Sequence, residues 1–260
     1  MKNRITTIAR YTVLEAVRTR LPLLTLIVVG TLFGASFFVR EIAITESGRF
    51  QTAFYAATVR LAIVFIAALY AIASIAREFQ DKGLDVALAL DLPRSHYIVG
   101  KLTGFLAIAL ALALAASLPL LPLLPVAGWE AVAAWGASLA FELAVVLALS
   151  LFCVVTFNQL MPAASLVIAF YLFARALTAI RLISANPIAD AHTLSHRATT
   201  WLVEGLALVV PALDEWTRTA WLVAGAAPPW SALLSIGLHS AVFVTILAAA
   251  AVFDMHRRSF

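Results

Sequence analysis

The stretch Arg77–Lys101, REFQDKGLDVALALDLPRSHYIVGK, is a charged interruption between two long apolar runs, and the organisation of the chain follows from it. Its apolar centre, Gly83 to Leu92, is too short to cross a bilayer, which takes about 20 apolar residues. Pro93 disfavours helix at the residue before it and marks a stop. Glu78 and Lys82 stand four apart, in the order that favours a helical ion pair. Asp85 lies near the start of the apolar centre, where a negative charge suits a helix dipole. These features predict a membrane helix ending near Ala76, a charged elbow, a short surface helix Leu84–Leu90, a proline stop and a new membrane helix from about Leu102. A surface helix held between two spans suits the docking of a soluble partner. A solvated loop would account for the same letters.

Outward from this stretch the chain is very apolar. Of its 260 residues 63% are hydrophobic and 12% charged, with a mean hydropathy of +0.99. Soluble domains carry about 25% charged residues, so the composition predicts a single, all-α, polytopic membrane domain. The net charge of +4 is small for this length and gives no reason to expect nucleic-acid binding. Cys153 is the single cysteine, so no intrachain disulfide can form, and it reads as a small packing residue.

Residues 1–20 carry five basic side chains against Glu15 alone, with Ile5, Ile8, Tyr11, Leu14 and Val17 at roughly helical spacing. They predict an interfacial helix drawn to anionic headgroups, although Glu15 interrupts its apolar face near Ile8. No small-residue cleavage site follows the first apolar run, which reads as a retained span. Six spans are expected: Leu21–Val39, Ala56–Ala76, Leu102–Leu118, Trp135–Thr156, Ala163–Ile180 and Ser231–Phe253. Together 21–253 form one domain, followed by the tail 254–260. Arg60 falls close to the outer end of the second span, where it can snorkel. Pro119, Pro122 and Pro125 recur every three residues and predict a kinked or extended outer end for the third span. Residues 157–162 form a tight polar turn. The long segment 182–230 contains an apolar run, Trp201–Leu213, that covers only roughly 20 Å as a helix, so it is expected to lie on the interface or to dip in as a re-entrant hairpin.

Lysine and arginine placement sets the orientation. The N-terminal lead carries five, the central loop four and the tail two, against five on the other side. Both termini and loop 77–101 are therefore expected on the cytoplasmic side, as in a bacterial inner membrane. All six tryptophans fall on the opposite side, where an interfacial belt would place them.

A charge near the bilayer centre is costly and has a partner or a task. Glu142 in span four and Arg175 in span five both lie about 20 Å from the cytoplasmic ends of their helices, and His239 in span six lies at similar depth. A Glu142–Arg175 pair with His239 nearby is expected in the protein interior. It would either fix helix packing or line a substrate path.

Glu78, Gly83, Leu84, Leu88, Leu90, Pro93-Arg94 and Gly100-Lys101 resemble the first cytoplasmic loop of ABC-2-type transporter permeases. Leu84, where threonine is frequent, and the acidic Asp85 and Asp91 depart from that pattern. The resemblance implies a coupling helix seated in a groove of a separate ATPase subunit, with Glu78, Gly83, Leu84, Leu88, Pro93 and Arg94 in the coupling role. It further implies two permease copies with two ATPase subunits, ATP and magnesium held by those partners, re-entrant helices before the last span, and export of a hydrophobic or amphipathic substrate. The chain itself is expected to be neither an enzyme nor a cofactor carrier. Gly100-Lys101-Leu102-Thr103 fails as a phosphate-binding loop because Ser95 replaces the first glycine and Leu102 the Ser/Thr. His192 and His196, beside Asp190, are weak metal candidates without a third firm ligand. A rhomboid-type Gly-x-Ser-Gly is absent. The alternatives are an integral scaffold outside this family, or a proton-coupled transporter using Glu142, Arg175 and His239.

Overall fold

The computed structural model describes residues 2–44, 46–80, 93–185, 201–206 and 210–257. Among these the protein is all-helical. The order is α1 (Lys2–Arg18), α2 (Leu21–Ile42), α3 (Ser47–Gln80), α4 (Arg94–Ser117), a 3₁₀ segment (Leu118–Leu123), α5 (Leu124–Ala127), α6 (Trp129–Phe157), α7 (Leu160–Ala185), α8 (201–206), α9 (Leu213–Trp216), α10 (Thr219–Ala224) and α11 (Trp230–Arg257). Six of these segments are long and apolar enough to cross a bilayer: α2, α3, the α4–α5 stretch, α6, α7 and α11. The protein is a multi-pass membrane protein. Its spans alternate in direction, so α1, the roots of 81–92, the α6–α7 turn and the end of α11 share one face, here the α1 face. The short helices α9 and α10 lie toward the other, far face.

At the centre stands α6, packed against α3, α4, α7 and α11. Its composition explains that position. It is apolar all round, as suits a helix with neighbours on every side, and Leu139, Leu143, Val146, Leu147 and Cys153 are fully enclosed. By contrast α2, α7 and α11 bury only a stripe each.

Several helices run longer than their apolar cores. The second span, expected to open at Ala56, opens at Ser47. The reason is tertiary: Gln51 and Thr52 are polar but buried, with Gln51 Nε2 donating to Ser36 Oγ on α2 at 3.2 Å and Thr52 Oγ1 bonding the Gly48 carbonyl at 2.8 Å. The third span begins directly after Pro93, not at Leu102, with Pro93 as its N-cap residue. Proline at that boundary starts the helix without losing a helical N–H bond. The three prolines kink the outer end as expected, into a 3₁₀ segment and one helical turn. Pro119 has no N–H to offer the Ala116 carbonyl, and the Tyr55 hydroxyl from α3 supplies the bond at 2.8 Å.

The tryptophans divide. Trp129, Trp201 and Trp230 are exposed as belt residues would be, but Trp135 is fully buried and Trp216 nearly so. These two are core residues that lie near the far face because their helices do.

On the α1 face, α1 lies across α4 at close range. Gly100 and Gly104 provide the approach. A Cβ on Gly100 would fall 2.8 Å from Ile8 Cβ, and one on Gly104 2.6 Å from Thr12 Cβ. Small residues four apart are the usual means of bringing helix backbones together in membranes.

Candidate functional site

The first cluster roots the 81–92 connection. Glu78 sits in the last turn of α3, and Tyr97 and Lys101 share one face of α4 as residues four apart do. The Glu78 carboxylate takes a hydrogen bond from the Tyr97 hydroxyl on one oxygen and an ion pair from Lys101 on the other. Lys101 also approaches Glu15 of α1 at 3.4 Å, and its side chain is only 4% exposed. Glu15 is held further by Ser74 at 2.8 Å and Arg77 at 3.6 Å. One buried ammonium thus joins carboxylates from two helices across a third. The break that Glu15 makes in the apolar face of α1 is explained: the residue turns inward to meet Lys101.

Arg94 works elsewhere on the same face. Its Nη1 donates to the carbonyls of Met255 at 2.9 Å and His256 at 3.3 Å, in the last turn of α11. A guanidinium there satisfies orphan carbonyls and suits the negative end of the helix dipole. Nearby, Thr156 Oγ1 donates to Asp254 Oδ2 at 2.6 Å and ties α6 to α11. Of the proposed coupling residues, Glu78, Pro93 and Arg94 are therefore placed at the two roots of the connection. Gly83, Leu84 and Leu88, the surface helix Leu84–Leu90 and the Glu78–Lys82 pair lie outside the described residues, as do His192 and His196. The carboxylate of Glu78 is committed to Lys101 and Tyr97.

The second cluster lies within the bundle. Glu142 is fully buried on α6, and Tyr171 and Arg175 stand one turn apart on α7. Glu142 Oε1 accepts from the Tyr171 hydroxyl at 2.9 Å and from Arg175 Nη1 at 3.3 Å. The expected pair is formed, at about 22 Å from the α1-face end of each helix. Arg175 Nη1 also donates to the Leu213 carbonyl at 3.0 Å. Arg60 joins from α3. It was expected near the outer end of its span, but with α3 opening at Ser47 it lies about 20 Å inside that end. Its Nη1 donates to the Thr217 carbonyl at 2.6 Å, and it stands beside the Tyr171 hydroxyl within the fields of Glu142 and Arg175. Two arginines thus hold the two ends of α9, a single helical turn, at the depth of Glu142. They tie α9 to α3 and α7 within the bundle.

His239 does not join that pair. It is exposed on α11 with Nδ1 against the Ser235 carbonyl at 2.7 Å, and it lines a cavity of about 600 Å³ together with Glu215, Trp216, Arg218 and Trp221. No group of three or more metal-binding side chains occurs among the described residues.

The Glu142–Arg175 pairing was legible because a two-residue turn makes α6 and α7 antiparallel neighbours and sets both residues at equal depth. Glu15, Tyr97, Lys101, Arg60 and Tyr171 were not singled out for these clusters. Only an isolated acidic residue on an otherwise basic, amphipathic α1 hinted at the first.

No protein-family model matches the chain, and no curated protein matches it.

Proposed function

We propose that this protein is the membrane-spanning permease subunit of an ATP-driven transporter of the ABC-2 type, with ATP hydrolysed by a separate subunit that docks on loop 77–101. One observation carries the reading. The loop that resembles a coupling loop is rooted on a buried ionic junction, Glu78–Lys101–Glu15, that spans α1, α3 and α4. A docking loop needs such a rigid root if a push from a partner is to move the spans instead of bending the loop. Arg94, at the other root, reaches α11 and extends the same connection to the last span.

In this reading the complex contains two permease copies and two ATPase subunits in a bacterial inner membrane, with both termini cytoplasmic. ATP and magnesium belong to the partner. The exported substrate is hydrophobic or amphipathic, and the Glu142–Arg175 cluster lies on or beside its path. A mild-detergent pull-down from native membranes tests the proposal. The wild-type chain should bring down a soluble ATPase, and Glu78→Ala and Leu88→Asp should lose it. Absence of any nucleotide-binding partner from the wild-type sample would refute the reading.

A further inference from the structure

The polar cluster inside the bundle leaves Arg60 without a paired carboxylate among the described residues. Arg60 and Arg175 contribute two positive charges, whereas Glu142 is the single carboxylate paired with either among the described residues. Arginine does not lose its proton in proteins, so the usual escape of a buried charge is closed. Tyr171 is a neutral hydroxyl. Asp214 follows Leu213 in the chain but forms no ion pair among the described residues, and its buried Oδ1 has no hydrogen-bond partner. Glu215 is exposed and faces Thr178 at 3.4 Å.

Arg175 bonds the Glu142 carboxylate, whereas the Arg60 bond to Thr217 goes to a neutral acceptor. Both arginines bond main-chain carbonyls, Leu213 and Thr217, at either end of α9. A guanidinium bond to a carboxylate or phosphate can be bidentate, which adds energy and geometric specificity that a single carbonyl does not offer. Arg60 Nε and Glu142 Oε2 are also buried without a partner. Arg60 therefore keeps a buried N–H without a partner and has no carboxylate paired with it among the described residues.

We infer that Arg60 and Arg175 form a binding site for an anionic headgroup, phosphate or carboxylate, on an apolar tail. The anion displaces the carbonyls of Leu213 and Thr217 and thereby releases α9 from the bundle. The apolar tail follows from the surroundings, where Phe65 packs edge-on to Tyr171 and the helices are otherwise hydrocarbon. Glu142 opposes the ligand, because its charge holds Arg175 and repels an anion. As an account of the transported substrate this rests on the permease reading; as a binding site it stands without it.

The test uses the full chain in phosphatidylcholine nanodiscs, with no ATPase present and empty nanodiscs as the blank. Calorimetric titration compares octyl phosphate with the uncharged octyl glucoside. Wild type should bind octyl phosphate at least about tenfold more tightly, the equivalent of one charged hydrogen bond. Arg60→Gln should lower that affinity by about the same factor, and Glu142→Gln should raise it. A residue that only fixes packing would not give opposite signs. Equal binding of the two amphiphiles to wild type overturns the site, and so does a Glu142→Gln variant that weakens binding as Arg60→Gln does. Leu213→Cys, buried in the resting structure, should be labelled faster by a membrane-impermeant maleimide when octyl phosphate is added. An unchanged rate overturns the release of α9. Octyl phosphate binding in a chain that captures no ATPase would support the site while removing the permease reading, and an ATPase partner without selective binding would do the reverse.

Discussion

Replacing Lys101 by methionine removes the shared cation of the α1–α3–α4 junction while keeping most of the side-chain volume. Lys101 is 4% exposed, and the carboxylates it joins, Glu15 and Glu78, are 28% and 30% exposed. Removing one partner of a fully buried pair costs about 3–5 kcal/mol, because the other charge is left uncompensated. Two features reduce that figure here. Water reaches both carboxylates, and each keeps other partners, Arg77 and Ser74 for Glu15 and Tyr97 for Glu78. About 2–3 kcal/mol remains, which for a chain of this size corresponds to a fall of roughly 5–10 °C in melting temperature. Thermal unfolding in detergent, followed by tryptophan fluorescence, reads this directly. The double variant Lys101→Met with Glu78→Gln separates the mechanism from lost packing. If the stranded Glu78 charge is the cause, the second substitution restores stability, with a coupling of about 1–2 kcal/mol within the range for residues in contact. A Lys101→Met protein as stable as wild type, or strictly additive losses, would refute the junction as an energetic unit.

Other consequences are equally direct. Gly104→Val places atoms where Thr12 Cβ stands 2.6 Å from the first added carbon, so α1 must lift from α4. The expected cost is about 1–3 kcal/mol, with faster tryptic cleavage at Arg10 and Arg18. Tyr55→Phe strands the Ala116 carbonyl beneath the proline kink and should cost about 1–3 kcal/mol, measured as a lower melting temperature with an unchanged helical circular-dichroism signal. Trp135→Ala should destabilise by about 3–5 kcal/mol, as for a fully enclosed aromatic. The same change at exposed Trp129 should stay within about 0.5 kcal/mol; similar losses at both would show that Trp135 belongs to the belt after all.

Much of the fold follows from composition and local pattern, because a bilayer forces each apolar run of sufficient length to close its own backbone hydrogen bonds as a helix. On those grounds alone the sequence determined an all-helical protein with six spans, an amphipathic lead, a proline-kinked third span and a tight turn between the fourth and fifth. It also set Glu142 and Arg175 at equal depth on neighbouring helices, since two helices joined by two residues have little freedom to place them otherwise; that the two side chains meet is seen in the tertiary structure. Tertiary structure decided what depends on neighbours distant in the chain. Helix ends ran past the hydropathy boundaries where another helix satisfied a polar group, as Ser36 does for Gln51, and that shift moved Arg60 from the membrane surface into the bundle. Lys101 became the centre of a junction only because Gly100 and Gly104 let α1 approach closely enough for Glu15 to reach it. His239, at the expected depth, points away from the pair because depth along a helix does not specify which way its side chains face.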